Sequence, residues 1–506
     1  MARRTGNSRV RRKVGSISQL PWREVSNPYA PGEVLSAEQV EMIHQASLRL
    51  LAEVGMRVLN DDARAIFARA GASIDEDSLM VRLDSEMVME TISTAPSEFG
   101  LRARNPAHDL NLGANRMVFA GVGGPAFVSD LDKGRRPGTY AEQCDYIRLM
   151  QALNIIHQEG GGPFEAMDLP PETRHLDLHL AQIRLMDKNW QGVALGRERT
   201  LDGINMACIS LGVDRQELAR NPAILCIINT NSPLQLDIPM AEGTMALAEA
   251  GQVACITPFT LAGSMSPVTL AGTLVQQNAE VLFGVVLTQL VRPGAPAMYG
   301  AFTSNVDMKS GAPALGTPEY TKAALASGQL ARYYKLPFRS SNTNASNTVD
   351  AQAAYESEMS LWGAINGHAN LVNHAAGWLE GGLTASFEKL VVDAEMLQMM
   401  AEYMRPIEVN DDTMALQAIA DVGPGGHFFG AAHTMERYES AFYAPMVSDW
   451  QNFERWKEAG EMDTATRANK IWKQLLAEYE PPPLDPAINE QLEDYVARRK
   501  NGEPVE

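Results

Sequence analysis

The chain has 506 residues, of which 45% are hydrophobic and 7% aromatic, so it can bury a large core but is too long for one compact lobe without appended segments. Its 43 basic and 62 acidic residues give a net charge of -19. That balance disfavours nucleic acid or an anionic membrane as a partner, because binding to polyanions depends on Lys and Arg. No apolar run reaches the roughly 18 residues needed to cross a membrane, and we expect a soluble protein.

The N-terminus is basic and lacks the apolar stretch of a secretory signal. Its cationic residues, with no acid before Glu24, are Arg3, Arg4, Arg9, Arg11, Arg12 and Lys13. A run of like charges with little apolar content predicts a disordered basic arm over 1–16. The four cysteines (144, 208, 226 and 255) form no CxxC pair, and three lie in apolar runs. Free thiols packed as small hydrophobes indicate a reducing, cytoplasmic location.

The first helix is predicted just after Ser36. Ser36 is a suitable N-cap, Gln39 stands three residues later, and apolar residues from Val40 to Val54 recur on one helical face. We therefore expect residues 17–112 to form a helical N-terminal region with a few short strands.

Between residues 116 and 373 one pattern repeats: a short apolar or β-branched run, a break rich in Gly and Asn, and a helix-length amphipathic segment. The predicted strands are 116–120, 155–158, 192–195, 224–229, 253–256, 297–301, 338–341 and 371–374. The predicted helices are 139–153, 173–187, 199–212, 239–250, 269–291, 318–334, 350–367 and 388–404. Such a series predicts an α/β fold, a (β/α)8 TIM barrel over 113–405, followed by a helical C-terminal extension over 406–506. A doubly wound open sheet is the competing architecture, but no GxGxxG follows the first strand.

In a barrel of this kind the chemistry lies on the loops after the strands. Those loops carry mainly amide, hydroxyl and aromatic side chains and few charges, so a metal centre fits poorly. A GxSxG nucleophile elbow is also missing. The sequence favours a site that binds and orients a small molecule and leaves the reactive electronics to that molecule or to a partner's cofactor.

Three stretches carry a family resemblance: VSDLDKGRRPGTYAE (128–142), NTVDAQAAYE (347–356) and GPGGHFFGAAHTMERY (423–438), the last followed by Trp450 and Trp456. Together they resemble the trimethylamine methyltransferase superfamily over about residues 35 to 460. The resemblance implies a barrel whose open face docks a separate corrinoid protein, with no tightly bound cofactor of its own. A methyl group would pass from a methylated amine to the Co(I) of the partner's cobamide.

One departure from the founding members bears on the substrate. Members that demethylate trimethylamine carry pyrrolysine in the loop after the seventh strand, whereas this chain has Ser341, Asn342, Thr343 and Asn344 there. The chain is similar to non-pyrrolysine members that use quaternary amines such as glycine betaine. A quaternary ammonium already carries the positive charge that makes the amine a good leaving group, so no electrophilic side chain is needed.

Candidate residues follow from this mechanism. Aromatic faces for the ammonium group are expected from Tyr299, Phe302, Trp378 and Phe428. His374, Asn342 and Asn344 are predicted donors to a betaine carboxylate, and Glu380 or Glu159 is predicted to balance the cation. The predicted face toward the corrinoid partner contains Gly123, Gly124, His427 and His433. Acid-base catalysis is not required for the first step.

Two other classes of function stay open from the sequence. One is a barrel lyase or hydrolase that uses Glu159 and His374 as an acid/base pair. The other is a betaine-binding protein without catalysis. The apolar content of the outer helices also predicts a homo-oligomer.

Overall fold

A ring of eight parallel strands forms the centre of the molecule. The computed structural model describes residues 17–505, so the predicted basic arm over 1–16 lies outside the described residues. The ring strands are β1 (Arg116–Gly121), β2 (Gln158–Glu159), β3 (Asn189–Trp190), β4 (Leu225–Ile228), β5 (Val253–Ile256), β6 (Ala297–Gly300), β7 (Phe338–Ser341) and β8 (Leu371–Ala376).

The ring is closed. Parallel pairing runs in the order β3-β2-β1-β8-β7-β6-β5-β4. The remaining gap between β3 and β4 is bridged by Gln191 beside Leu225, where the amide of Gly192 donates to the carbonyl of Leu225 at 3.0 Å. The predicted (β/α)8 barrel is therefore confirmed, and the open-sheet architecture is wrong.

Eight helices surround the ring, one after each strand. They are α1 (Tyr140–Ala152), α2 (Arg174–Leu185), α3 (Arg197–Leu211), α4 (Ile238–Glu249), α5 (Leu270–Val291), α6 (Pro318–Tyr333), α7 (Ala351–Asn366) and α8 (Phe387–Tyr403). Side chains of Thr139, Asp237, Thr317, Asp350 and Ser386 cap five of them. Among the described residues α5 alone is long and apolar enough to cross a membrane, but 78% of its apolar window is buried inside the molecule. It is a core helix of the barrel wall.

The third strand differs from its prediction. The apolar run over 192–195 was expected to form it, but β3 lies earlier, at Asn189–Trp190. The Asn189 side chain faces the barrel interior, where it accepts a hydrogen bond from Gln158 at 2.6 Å. Ala194 instead packs in a loop against Gly243 of α4, where an added Cβ would lie 2.6 Å from the Ala194 carbonyl oxygen. A polar strand was missed because its side chains satisfy one another inside the ring.

The N-terminal region packs mainly on the outer helices of the barrel, chiefly α5. Its helices are Ala37–Glu53, Asp61–Arg69 and Ser85–Ile92, and the predicted capping box of Ser36 and Gln39 is present on the first. A small sheet contains Met56–Val58, Ser73–Asp75, Met80–Arg82 and Gln235–Leu236, while Val25–Ser26 pairs antiparallel with β1. A hairpin of Glu98–Leu101 and Leu110–Gly113, with a short 3-10 turn at Pro106–His108, completes the region.

That hairpin closes the floor of the barrel. Leu101, Leu110 and Leu112 are buried against inward-facing residues of the strands, including Val118 and Leu225. The contact lies at the amino ends of the strands, since the amide of Arg102 donates to the carbonyl of Pro222, shortly before β4. The barrel is thus sealed at the end opposite the loops that follow the strands.

Small sheets surround the mouth of the barrel, which is the end where the ring strands have their carboxyl ends, and further helices follow the barrel in the chain. Two small sheets lie at the mouth: Phe259–Ala262 with Phe302–Val306 and Pro313–Ala314, and Phe127–Ser129 with Arg136–Pro137, Trp378–Leu379 and Thr384–Ser386. Shorter helices are Arg215–Arg220, Glu380–Gly382 (3-10), Asp411–Met414, Leu416–Val422, Ala432–Arg437 and Phe453–Glu458. Helix Thr464–Ala477 packs on α8, and Pro486–Lys500 packs on α2 and α3. The division of the chain into domains at 112 and 405 stays a prediction.

Candidate active site

Aromatic rings from loops after three strands meet at the mouth of the barrel. The ring centroid of Phe302 lies 5.4 Å from that of Trp378 and 5.0 Å from that of Phe259, and His374 lies 4.8 Å from Trp378. Phe302 and Trp378 are 5% and 6% exposed, whereas Phe259 and His374 are partly exposed. Desolvated aromatic faces of this kind are suited to a cationic head group. The structure thus brings together three of the predicted residues (Phe302, His374 and Trp378) and adds Phe259.

A bulge in β8 aims His374 into the mouth. Val372 pairs with Phe119 and Ala376 with Gly121, so three residues of β8 lie opposite a single residue of β1. His374 is in the middle of the bulge with a φ of 52°. A left-handed backbone at a residue other than Gly costs on the order of 1–3 kcal/mol and is found preferentially at functional sites. The conformation therefore supports a functional role for this side chain.

The His374 ring is neutral, and its tautomer follows from its neighbour. The Gly123 amide donates to Nδ1 at 3.2 Å, which places the ring proton on Nε2. Burial, followed by the nearby Arg339 guanidinium, lowers the pKa of His374 to about 3. Nε2 has no hydrogen-bond partner among the described residues, so it is an available neutral donor at the mouth.

The position of Trp378 depends on a glycine. A Cβ at Gly382 would lie 2.2 Å from the indole ring, and Gly382 has a φ of +93°. The indole Nε1 is buried and has no hydrogen-bond partner in the described part of the chain. The ring therefore presents an apolar face that is packed tightly from behind.

Asn342 and Asn344 support the loop after β8. Asn342 donates to the carbonyl of Ala375 at 2.9 Å, and Asn344 donates to the carbonyl of Trp378 at 2.6 Å. Both side chains are fully buried. Their amide hydrogens are used in fixing the backbone, so the structure does not make them available as donors to a substrate carboxylate.

Glu159 points away from the mouth, toward the helical layer. Its carboxylate accepts hydrogen bonds from the amides of Gly161 at 2.8 Å and Gly162 at 2.7 Å, and a short one from Gln182 of α2. Burial raises the pKa of Glu159 to about 7. Because no hydrogen bond links it to His374, the geometry does not support the two as an acid/base pair or Glu159 as a counter-charge in the mouth.

Tyr299 also faces the helical layer. Its hydroxyl donates to Asn278 of α5 at 3.0 Å, and its ring stacks 6.3 Å from that of Tyr334. The side chain is fully buried there. Both faces of a barrel strand are buried, so the apolar pattern of β6 does not distinguish inward from outward positions, and the expectation that Tyr299 lines the mouth is not met.

Glu380 is committed to an ion pair at the rim. Arg135 reaches it with two nitrogens, at 2.6 and 3.0 Å, and the Thr384 hydroxyl donates at 2.5 Å. Burial acts to raise the pKa of Glu380, but the hydrogen bonds from Arg135 and Thr384 outweigh it and lower the pKa. Its charge is therefore matched within the protein and ties the loop after β8 to the segment before α1.

The predicted residues of the partner face fall in two separate places. Gly123 and Gly124 are at the rim, where a Cβ on Gly123 would lie 1.9 Å from the Gly160 carbonyl oxygen and Gly124 is exposed. His427, Phe428 and His433 belong to the segment after α8. His427 and His433 line an open cavity of about 830 Å³ formed within 411–437, and none of the three contacts the aromatic cluster. Phe428 is thus not part of the site at the mouth.

An amide network lies beneath the mouth, and the sequence reasoning did not anticipate it. Gln191 donates to Gln158 and to Asn373, both at 2.9 Å. Gln158 in turn donates to Asn189 at 2.6 Å. Arg339 of β7 was also missed, although an arginine inside a buried strand is an unusual signal that the sequence does display. Within residues 17–505 no group of three or more His, Cys, Asp or Glu side chains is placed to hold a metal ion.

The fold and the mouth together define a (β/α)8 barrel protein with an aromatic cluster and a hydrogen-bond donor at its mouth. The family model for trimethylamine methyltransferase (MTTB) matches residues 2–504, and the chain belongs to that family. It is 38% identical over 467 residues to glycine betaine methyltransferase of Desulfitobacterium hafniense (strain Y51), covering 92% of this chain and 97% of the relative.

Two further similarities extend this comparison. The chain is 30% identical over 465 residues to trimethylamine methyltransferase MttB of Desulfitobacterium hafniense (strain DSM 10664 / DCB-2), covering 91% of this chain and 92% of the relative. The crystal structure of the Methanosarcina barkeri monomethylamine methyltransferase is 11% identical, with a TM-score of 0.48, and the match covers 88% of this chain and 94% of that one.

Proposed function

We propose that the protein transfers a methyl group from a quaternary amine, glycine betaine or a similar compound, to the Co(I) of a cobamide carried by a partner corrinoid protein. The observation that carries the proposal is the desolvated aromatic cluster of Phe302 and Trp378 beside the neutral donor His374. Such a cluster suits a trimethylammonium head. The similarity to a relative named glycine betaine methyltransferase supports this choice of substrate.

The reaction needs little from acid or base groups. Co(I) supplies an electron pair to a methyl carbon, the C–N bond breaks with its electrons going to nitrogen, and the products are a methyl-Co(III) species and a neutral tertiary amine. No proton moves in this step. The site agrees with that requirement, since His374 is neutral, Glu380 is paired with Arg135, and Glu159 faces the helices.

The contribution of the protein is alignment. Holding the nitrogen against the ring of Trp378 leaves one methyl group directed outward, in line with cobalt that approaches from outside. The rim loop of Gly123, which is partly buried, and Gly124, which is exposed, is the surface proposed to meet the corrinoid protein. Contact of that partner with His427 or His433 stays a separate prediction, because those residues lie away from the aromatic cluster.

The test is a panel of methylated amines and betaines mixed with the purified chain and reduced cobalamin, with loss of the Co(I) absorbance as the readout. Glycine betaine or a related quaternary amine is expected to respond. A response to trimethylamine alone would overturn the substrate class. Methyl transfer also rules out a binding protein without catalysis, whereas turnover of substrate without cobalamin would favour a lyase or hydrolase.

Self-association is proposed from the exposed apolar residues of the segment after α8. Ile407, Phe429 and Phe442 are 87%, 85% and 86% exposed, which is unusual for large apolar side chains on a monomer surface. A homo-oligomer that buries them is expected, and light scattering after size-exclusion chromatography measures it. Location in the cytoplasm stays a prediction.

A further inference from the structure

Arg339 is a fully buried cation that has no anionic partner among residues 17–505. Its side chain lies on β7 and is 1% exposed. Within the described part of the chain one of its five N–H groups is used: Nη1 donates to the Ala301 carbonyl at 3.2 Å. Nε is buried and has no partner, and no Asp or Glu of the described residues lies within ion-pair distance. A buried charge left unpaired is costly, so a group of opposite charge is expected to complete this site.

The guanidinium lies inside the ring, beneath the aromatic cluster. Its carbon is 5.6 Å from the Phe302 ring centroid. In the pairing of β7 with β8, Arg339 lies beside Leu371, which belongs to the interior cluster that closes the barrel floor. The Arg339 charge contributes to the lowered pKa of His374, so the free N–H groups of Arg339 lie beneath the mouth, near the His374 ring.

This arrangement discriminates between kinds of cation. A ligand with only a positive head would face both the aromatic rings and the Arg339 charge, and the charge repels it. A zwitterion with a carboxylate one methylene from its nitrogen neutralises the guanidinium while its trimethylammonium group contacts the rings. Guanidinium and carboxylate also match each other in a bidentate geometry.

We propose that Arg339 binds the carboxylate of the substrate, with His374 as an auxiliary donor, and so restricts the enzyme to carboxylate-bearing quaternary amines. This inference rests on the function proposed above and deepens it. Choline and tetramethylammonium, which have a cationic head and no carboxylate, are then poor ligands. The donors that the sequence assigned to this task, Asn342 and Asn344, are replaced in it by Arg339.

The experiment compares two ligands on three proteins by titration calorimetry, without any corrinoid. The ligands are glycine betaine and its methyl ester, which keeps the ammonium head but removes the negative charge. The proteins are the wild type, Arg339→Gln, and Arg332→Gln as a control, since Arg332 is a partly buried arginine of α6 that donates to the Gly367 carbonyl. Circular dichroism and thermal melting verify that each variant is folded.

The wild type is expected to bind glycine betaine about 100-fold more tightly than the ester, the size of a charge-assisted hydrogen-bonded contact. Arg339→Gln is expected to reduce that ratio to about threefold or less, and Arg332→Gln to leave it unchanged. A wild type that binds ester and betaine equally overturns the inference even if the Arg339 variant does not fold. An unchanged ratio in a folded Arg339→Gln protein overturns it as well.

Failure of the proposed function has a different signature. In that case the wild type binds neither ligand and transfers no methyl group to reduced cobalamin. A wild type that transfers methyl from glycine betaine, with an Arg339→Gln variant that keeps its preference for betaine over the ester, refutes only the role of Arg339.

Discussion

Replacing Trp378 by Leu is expected to weaken binding of a quaternary ammonium head far more than binding of an uncharged head of the same shape. The indole is 6% exposed, so a cation on its face is desolvated, and such a contact is worth about 2 kcal/mol. Because 1.4 kcal/mol corresponds to a tenfold change in affinity, the loss for glycine betaine is about 30-fold. An uncharged head group loses only the part of the binding free energy that comes from packing against the indole.

The assay is titration calorimetry with glycine betaine and 3,3-dimethylbutyrate, in which a carbon atom replaces the nitrogen and the carboxylate is kept. Trp378→Phe is an informative intermediate, because it retains an aromatic face and removes an N–H that is buried without a partner. Trp362→Leu is the matched control, since that indole lies on α7 and packs against Tyr403, away from the mouth.

Equal losses of affinity for the two ligands in Trp378→Leu would refute the reasoning. In that case the ring contributes shape and burial only, and recognition of the positive charge lies elsewhere. A preference for the cation that falls in the order Trp, Phe, Leu is the result that the structure predicts.

Three other predictions concern the loops that support the mouth. His374→Ala is expected to lower glycine betaine affinity about tenfold through loss of one donor, and unaltered affinity in calorimetry removes its proposed role. Gly123→Ala is expected to destabilise the fold by about 1–3 kcal/mol in urea unfolding, because the new Cβ would lie 1.9 Å from the Gly160 carbonyl oxygen; Gly430→Ala, in open space, is the neutral control. The pKa of Glu159 is raised from 4.5 to about 7, so the folded chain holds a proton that the unfolded chain releases, and stability falls as pH rises through that range, by on the order of 3 kcal/mol. Glu159→Gln should remove this dependence, and equal slopes of melting temperature against pH in the two proteins would contradict it.

The barrel could be predicted from the sequence because apolar residues recur with different periods in its strands and its helices, and because the two kinds of element differ in length. The strands at 253–256 and 338–341 match the prediction residue for residue. The prediction of the third strand failed because Asn189 and its amide partners make a polar interior, and an apolar run of residues therefore does not mark this strand. His374 was found because it stands near the end of a strand, although the bulge that turns it into the mouth has no signal in the sequence.

The direction of side chains was much harder to predict than their position along the chain. Glu159 and Tyr299 lie at or near strand ends as expected, yet both face the helices. In a barrel strand both faces are buried, so alternation of apolar and polar residues does not mark the inner one. Arg339 was overlooked although a charge within a buried strand is visible in the sequence; what the sequence does not show is that no counter-ion among the described residues lies beside it.

The hairpin that closes the barrel floor affects the order in which the substrate and the partner protein bind. With Leu101 and Leu112 closing the far end, the mouth is the entrance for a small molecule that residues 17–505 leave, and a corrinoid protein docked as proposed above would cover it. In that arrangement the substrate would have to enter before the two proteins meet, and the demethylated amine would leave only after they separate. Steady-state kinetics of the complete system should therefore show a compulsory order of binding and release. The methylated amine binds before the corrinoid protein, and the demethylated amine is the last product to dissociate.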